Sequence, residues 1–288
     1  MLGFKNFGIV GVGHIGGYIL EELLKAKSSG IVDKVVVLTR PGSVERLQSY
    51  GSRGAILAPI NDLNDVSAVT VALKDVDVII SALGGAASQL QIPIAEAATS
   101  AGVRLFVPSE FGGDTDGAKE GYPAMKLALA NKIAGIVPVT KFFNGTFADF
   151  IWSAPMTNLD VKSGSVTVGG DGNAKLSFTS RVDVARFVVH VLTTLAPEDT
   201  VSKSFRIESQ RLSFNEVFEA YRKKSGAKLE VKYIPIEELQ GNLKKNPRDI
   251  ASYFHLTWAS GEAVVGGPSS LDNAKYPGWN PSPVIDYL

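Results

Sequence analysis

The chain has 288 residues, of which 45% are hydrophobic and 20% charged, and its formal net charge is zero. A chain of this length and composition can bury a substantial core, in one large domain or two modest ones. The balanced charge, with no long basic run, argues against nucleic acid or an anionic membrane surface as the main partner. The absence of cysteine excludes disulfides, thiolate nucleophiles and cysteine-ligated metals.

Neither the histidines nor the apolar segments indicate a metal site or a membrane protein. His14, His190 and His255 lie far apart in the sequence, whereas zinc ligands are usually closely spaced, so we expect no metal. The longest uncharged stretch, residues 78–95, contains glycine, glutamine and proline and is too polar to span a bilayer. No basic segment leads into an apolar run near the N-terminus. We therefore expect no signal peptide and a cytoplasmic protein.

A glycine-rich turn follows the first predicted strand, residues 7–10. Gly11, Gly13 and Gly16 form the pattern G-x-G-x-x-G. The first glycine lets a strand turn sharply into a helix, the second lets the backbone touch a pyrophosphate, and the third lets helix and strand pack closely. Apolar residues then recur at helical spacing, which predicts an amphipathic helix. The set is Ile15, Ile19 and Leu23.

This turn predicts a dinucleotide-binding site. The pyrophosphate would lie on N–H groups at the positive end of the helix dipole. His14 and Ile15 lie inside the turn and are therefore predicted to contact the cofactor, with the three glycines. The alternative is a tight strand-to-helix turn that binds no ligand.

The first half of the chain alternates short apolar runs with helical patterns. The predicted strands are residues 7–10, 35–38, 55–57, 76–81, 103–107 and 137–143. After the helix that follows the glycine-rich turn, further helices are predicted at 65–73, 92–101 and 125–134. This alternation implies right-handed crossovers and an α/β fold, a Rossmann-type doubly wound parallel sheet.

The pattern changes after about residue 150. Turn residues at 163–165 and 169–172 surround short strands, and helices are predicted at 182–195 and 214–224. The segment 266–283 is rich in glycine, proline, serine and asparagine and is expected to be a surface loop. Ser213 and Glu216 have the spacing of a capping box at the start of the second of these helices.

Two domains are therefore predicted. Residues 1–150 would form the dinucleotide-binding Rossmann domain, and residues 151–288 a smaller α+β substrate-binding lobe beside the carboxyl edge of the sheet. The helix at 182–195 could pack back onto the first domain.

The residues after the second strand discriminate between cofactors. Proteins that bind NAD through such a turn usually carry an acidic residue there for the ribose hydroxyls, but this chain has Arg40. A guanidinium pairs bidentately with phosphate, so Arg40 favours NADP(H). Its alternative role is that of a solvated surface charge. Arg46 could be a second phosphate contact, but an ordinary exposed arginine is the better interpretation.

The fifth predicted strand is followed by Pro-Ser-Glu-Phe-Gly at residues 108–112. In this segment the chain resembles the NmrA-like group of atypical short-chain dehydrogenases/reductases, and the isoflavone reductase-like enzymes most closely. The resemblance covers most of the chain, more loosely beyond residue 200. Supporting segments are residues 81–83, 144–148, 170–173 and 183–185.

The resemblance implies a catalytic lysine on the helix after the fifth strand. The matching residue is Lys126, while Lys132 lies nearly two turns further on and is expected to face solvent. The resemblance also implies cofactor contacts at Ser81 and at Phe147, whose ring would lie near the nicotinamide.

Two further residues have spacings that resemble the mainstream short-chain dehydrogenases, although the NmrA-like family typically lacks a catalytic tyrosine. Tyr122 precedes Lys126 by four residues, and Ser109 precedes Tyr122 by thirteen. A nearby ammonium would lower the phenol pKa, and the serine could hold a substrate carbonyl. In the alternative, Tyr122 belongs to a loop, because Pro123 follows it and Gly121 precedes it.

Large apolar side chains could line a substrate pocket or belong to the core, and they stay unassigned. They are Phe111, Met125, Phe150, Trp152, Phe254 and Trp258.

The sequence and the resemblance together predict an NADPH-dependent reductase. It would transfer a hydride to a carbonyl or conjugated alkene of a small substrate, which the resemblance suggests is aromatic, of phenylpropanoid or isoflavonoid type. The alternative is a non-catalytic NADP(H) sensor that regulates a protein partner, because a fold alone does not determine activity. The oligomeric state is not predicted.

Overall fold

A computed structural model describes residues 3–153 and 157–288. The strands are β1 (Asn6–Val10), β2 (Lys34–Thr39), β3 (Ile56–Pro59), β4 (Val78–Ser81), β5 (Leu105–Val107), β6 (Lys141–Phe143), β7 (Thr146–Phe147), β8 (Ser165–Gly169), β9 (Lys175–Thr179), β10 (Ser204–Arg206), β11 (Gln210–Ser213) and β12 (Glu230–Ile234). The α-helices are α1 (Gly16–Ser28), α2 (Val44–Gly51), α3 (Val66–Ala72), α4 (Gln91–Ser100), α5 (Gly121–Ala134), α6 (Arg181–Thr194), α7 (Pro197–Thr200), α8 (Phe214–Ser225), α9 (Ile236–Lys245) and α10 (Ile250–Ala259).

The central sheet is parallel and has the strand order β3-β2-β1-β4-β5. The order reverses between β1 and β4, so the crevice at their carboxyl ends is the expected ligand site of a doubly wound sheet. Helices cover both faces of the sheet. The predicted α/β fold of Rossmann type is therefore confirmed.

The predicted strand at 137–143 is interrupted in the structure. Val139 forms an isolated parallel bridge with Phe106, and the regular strand β6 begins only at Lys141. Pro138 has no N–H and cannot donate to the ladder, although its carbonyl accepts from Phe106 N. Strand β6 then pairs in parallel with β10, which continues the parallel arrangement beyond β5.

Alternate residues of the central strands enter two different cores, as strands buried on both faces require. The first core lies under α1 and α6; it includes Phe7, Ile9, Val35, Val37, Ile80, Ile19, Leu23, Val184 and Val188. The second core lies under α3, α4 and α5; it includes Val10, Val36, Ile79, Phe106, Val69, Ile94 and Ile133. Helix α6 follows residue 150 in the chain but packs on α1. The division into two domains at residue 150 stays a prediction.

The remaining strands form two small sheets that share a third core. One sheet has the order β11-β9-β7, and β8 pairs in parallel with β12. The third core is strongly aromatic, since Trp152, Phe178, Phe214, Phe218 and Trp258 are all buried in it. Helices α8 and α10 supply three of these rings, so they attach the carboxyl-terminal elements to β9.

The segment 266–283 is irregular, as predicted, apart from short 3₁₀ turns. It is nevertheless anchored, because Tyr276 and Trp279 pack against the first core. The Trp279 ring lies 5.6 Å from the ring of Phe187, and His190 stacks on Tyr276 at 4.1 Å. In the part of the chain that the structure describes, no helix is long and apolar enough to cross a membrane.

The capping box predicted for α8 is present. The hydroxyl of Ser213 accepts from Glu216 N, and the Glu216 carboxylate accepts from Ser213 N at 2.7 Å. Both bonds occupy N–H groups that the helix itself leaves unpaired.

Ser213→Ala is expected to lower the free energy of unfolding by about 1 kcal/mol, since the first turn of α8 loses its cap. Urea denaturation measures the change. The control is Ser49→Ala on α2, where the exposed serine hydroxyl has no hydrogen-bond partner among the described residues; it should change stability by less than about 0.5 kcal/mol. Equal losses in the two variants would contradict a role for the cap.

Candidate active site

The three glycines of the turn after β1 differ in the space around them. Gly11 has a φ of +88°, and a Cβ there would lie 2.8 Å from the carbonyl of Ala82. A Cβ at Gly16 would lie 2.1 Å from Gly11 O. A Cβ at Gly13 would meet no described atom within 4 Å. Gly11 and Gly16 therefore allow the strand, the turn and the helix to pack closely, whereas Gly13 borders open space.

The start of α1 faces this space without a side-chain cap, since its N-cap residue Ile15 provides none. Uncapped helix N–H groups are a common anion site. The side chain of Ile15 is buried in the first core, so only its backbone is available to a ligand. His14 is exposed, and its ring lies 4.8 Å from that of Phe150.

Arg40 immediately follows β2 and is exposed. In residues 3–153 and 157–288, no carboxylate forms an ion pair with Arg40. Arg46 lies on α2, and its Nη1 donates to Val12 O at 3.3 Å, so this guanidinium folds over the glycine-rich turn. Two cationic side chains thus lie in the segment after β2, and the residue that immediately follows the strand is Arg40 rather than an acid.

The residues after β4 and β5 form the other wall of the crevice. Ser81 is fully buried, and its hydroxyl is 3.5 Å from Leu83 N. Ser109 is half-buried, and its N–H donates to the buried side chain of Gln91 at 2.9 Å. The Ser109 hydroxyl has no hydrogen-bond partner within the described residues. Ser81 thus shapes the loop, and Ser109 offers a free hydroxyl.

Lys126 on α5 forms an ion pair with Glu110, in the loop after β5. Lys126 Nζ lies 3.5 Å from Glu110 Oε2, and Thr115 Oγ1 donates to the same oxygen at 3.0 Å. Burial raises the pKa of Glu110, whose side chain is almost inaccessible, against the opposing effect of Lys126. Burial also lowers the pKa of Lys126, and the Glu110 charge opposes this shift.

Sequence reasoning did not assign a role to Glu110. In the sequence, Glu110 stands out only as part of the Pro-Ser-Glu-Phe-Gly segment at residues 108–112. The available signal was an acidic residue three positions after a buried strand, next to an apolar Phe111, since buried carboxylates are rare unless they are paired.

Tyr122 lies in the first turn of α5, which begins at Gly121, so the loop interpretation and the predicted helix start at 125 are both wrong. Pro123 is tolerated in a first turn, because the N–H that it lacks would have no helical partner there. Tyr122 is 48% exposed, and its ring lies 5.8 Å from that of Tyr253.

The expected lowering of the phenol pKa is also wrong. Partial burial and the charge of Glu110 raise the pKa of Tyr122. Burial is the larger cause of this rise, and the charge of Glu110, the carboxylate that pairs with Lys126, adds to it.

Phe147 is half-buried in β7 and packs against the first core. Lys132 is exposed, as expected. Of the unassigned apolar residues, Phe111, Trp152 and Trp258 are buried in the cores, and Phe254 packs on the third core. Phe150 is half-buried and Met125 is 69% exposed, so both can contact a ligand.

The histidines have structural contacts. His255 Nδ1 accepts from Gly169 N at 3.2 Å, and the His190 ring stacks on Tyr276. No group of histidine, aspartate and glutamate side chains in the described ranges could hold a metal ion.

The geometry of the turn predicts a contrast between two glycine variants. Gly16→Ala should lower the free energy of unfolding by more than about 2 kcal/mol, since its Cβ would overlap a backbone carbonyl. Gly13→Ala should change it by less than about 1 kcal/mol, because its Cβ enters open space. Thermal and urea denaturation of both variants measure this, and a similar loss in both would mean that Gly13 is not open.

The chain is similar to known proteins over most of its length. Residues 8–263 match the NmrA-like family. Isoflavone reductase homolog P3 of Arabidopsis thaliana is 30% identical, with 99% of this chain and 97% of that protein aligned. Phenylcoumaran benzylic ether reductase IRL1 of Ginkgo biloba is 29% identical over 94% of this chain and 95% of the relative.

A solved structure also shares the fold. It is described as AtPrR2 with NADP⁺ and (+)pinoresinol, and it superposes with a TM-score of 0.84 at 23% identity, covering 99% of this chain and 98% of that one. Because the match to the family extends from β1 to beyond α10, this chain belongs to the NmrA-like family.

Proposed function

We propose that this protein is an NADPH-dependent reductase that delivers a hydride to a carbonyl or conjugated alkene of a small aromatic substrate. The observation that carries the proposal is the ion pair of the partly buried Lys126 with the buried Glu110, in the loop that follows β5 at the carboxyl edge of the sheet. A lysine with a perturbed pKa in such a crevice is a candidate for proton transfer. The names of the relatives support the reaction class, since they include reductases.

The crevice suits NADP(H) in two respects. The open space at Gly13 and the uncapped start of α1 would accept the pyrophosphate. Arg40, which has no carboxylate partner in the described chain, would pair with the 2′-phosphate, and Arg46 lies close to the same turn. Ser81 and Phe147 would lie toward the nicotinamide, and the bound cofactor would supply the hydride.

The proton would come from Lys126, either directly or through a neighbouring hydroxyl. The lysine lies in the crevice wall, and its pairing with Glu110 restricts where its Nζ can point. Ser109 has a free hydroxyl after β5 that could hold a substrate oxygen. Tyr122 lies one helical turn before Lys126, and its raised pKa keeps the phenol protonated, so it is a poor anion but can still donate a hydrogen bond or a proton.

An aromatic substrate fits the side chains around this crevice. Tyr122 and Tyr253 meet edge to face beside the start of α5, and both keep part of their surface accessible. Met125 is exposed on α5, and the half-buried Phe150 lies beside His14 of the glycine-rich turn. Rings and thioethers bind flat apolar groups well. The phenylpropanoid-type compounds in the names of the relatives have such groups.

The first test concerns the cofactor. Arg40→Ala should weaken NADPH binding by about 10- to 150-fold, the equivalent of about 1.5–3 kcal/mol for a charge-assisted hydrogen bond, and leave NADH binding nearly unchanged. Titration calorimetry with both cofactors measures this. The control is Arg53→Ala, an exposed arginine that pairs with Glu21 and should leave both affinities unchanged. A wild-type protein that binds NADH as tightly as NADPH would contradict the assignment.

The second test concerns Lys126. With an aromatic enone or aldehyde that the wild type reduces, Lys126→Ala should lower kcat by about 10²–10⁴-fold, the usual contribution of a positioned acid or base. NADPH affinity should change much less, because its phosphate contacts lie at the glycine-rich turn and Arg40. Lys132→Ala, the exposed lysine on the same helix, is the control and should keep the wild-type rate.

Tyr122→Phe separates two versions of this chemistry. A loss as large as that of Lys126→Ala indicates the phenol as donor, and little change indicates the lysine alone. Wild-type turnover by Lys126→Ala would refute the catalytic assignment. Tight NADPH binding with no turnover across a broad panel would instead favour the NADP(H)-sensing alternative.

A further inference from the structure

Glu110 is held more firmly than its position in a loop would indicate. Its N–H donates to Pro108 O at 2.7 Å, and Thr115 Oγ1 donates to its carboxylate. The side chain is almost completely buried, although it can carry a charge. Burial of an unpaired carboxylate costs free energy. The partners of the Glu110 carboxylate are Thr115 and Lys126.

The loop that carries Glu110 is itself tied to the edge of the sheet. Arg206 on β10 forms a bidentate pair with Asp114, with Nε to Oδ2 at 2.6 Å and Nη2 to Oδ1 at 3.2 Å. Arg206 also pairs with Asp116 at 3.0 Å, and Lys141 on β6 forms a further ion pair with Asp116. The loop that carries Glu110 is therefore held in place by these ion pairs, and so is the position of its carboxylate relative to α5.

On this basis we propose that Glu110 is a positioning residue that fixes the Lys126 Nζ at the crevice wall through their ion pair. The inference rests on the proposed function for its catalytic consequence, since Glu110 acts only through Lys126. The inference adds Glu110 to the proposed site as a residue that does not itself contact the substrate.

The groups that face this pair determine the direction of the effect. Glu110 meets Lys126 from α5, Tyr122 from the first turn of the same helix and, at longer range, Lys141 from β6. For Lys126, burial favours the neutral amine, and Glu110 is the carboxylate that opposes this. Removal of the Glu110 charge therefore lets the pKa of Lys126 fall further, and the amine loses its proton at a lower pH.

The direct test is the pH dependence of Lys126 acetylation by acetic anhydride, followed by mass spectrometry, because only the neutral amine reacts. In Glu110→Gln the midpoint should lie at least about one pH unit below that of the wild type, as expected when an opposite charge within about 4 Å is lost. Below the wild-type midpoint, labelling should then be about tenfold faster. This readout needs neither cofactor nor substrate.

Two further variants make the test specific. Glu120→Gln makes the same chemical change at an exposed carboxylate just before α5, with no partner in the described chain, and should leave the midpoint unchanged. Glu110→Asp keeps the charge with a shorter reach and should restore the midpoint most of the way. If Glu110→Gln does not fold, Glu110→Asp is tested in its place. The midpoint of Glu110→Asp must then still lie below that of the wild type.

Activity provides the second readout. With a working substrate, Glu110→Gln should lower kcat more than it raises KM, and the pH–rate profile should move toward lower pH in step with the labelling midpoint. A shifted midpoint in a protein that reduces nothing supports the role of Glu110 and counts against the reductase. An unshifted midpoint overturns the role of Glu110, whatever the activity.

Discussion

The whole carboxyl edge of the sheet depends on how closely β1, α1 and the loop after β4 approach one another. At Gly11 and Gly16 the backbones meet with no room for a side chain, and Ala82 closes the same contact from the β4 side. This contact fixes the direction in which α1 leaves the sheet. Its amino-terminal end consequently points over the crevice at the order reversal between β1 and β4.

The opposite wall is built on a different principle. Among the described residues, the sheet continues beyond β5 through the bridge at Val139 and the β6–β10 pair, so regular backbone pairing is weaker there. Side-chain ion pairs of Asp114 and Asp116 with Arg206 and Lys141 hold this wall instead. One wall of the crevice is thus held by close backbone packing at glycines, and the other by ion pairs between side chains.

Much of this could be predicted from local sequence. The apolar runs, the helical stripes, the three glycines and the Ser213–Glu216 capping box are all signals within a few residues, and the structure agrees with them. The start of α5 could not, because a proline that ends a helix elsewhere is acceptable in a first turn. The break at Pro138 depends on which strand lies beside it, which only the assembled sheet determines.

The candidate site shows the same division. The position of Lys126 on a helix could be read from the chain, but its partner could not, because Glu110 is sixteen residues away and meets it only after β5 and α5 have packed. The direction of the Tyr122 pKa shift could not be predicted either, because it is set mainly by burial of the phenol and then by the charge of Glu110, and both depend on the assembled fold.

Helix α6 covers the amino-terminal sheet and strand β10 extends it, although they begin only at Arg181 and Ser204. On a ribosome, the apolar face of α1 must therefore remain uncovered until α6 has emerged. The contacts involved are of long sequence separation, which slows folding. A chain that stopped near residue 150 would carry all three glycines of the turn after β1 and would still expose the surface of α1 that α6 covers.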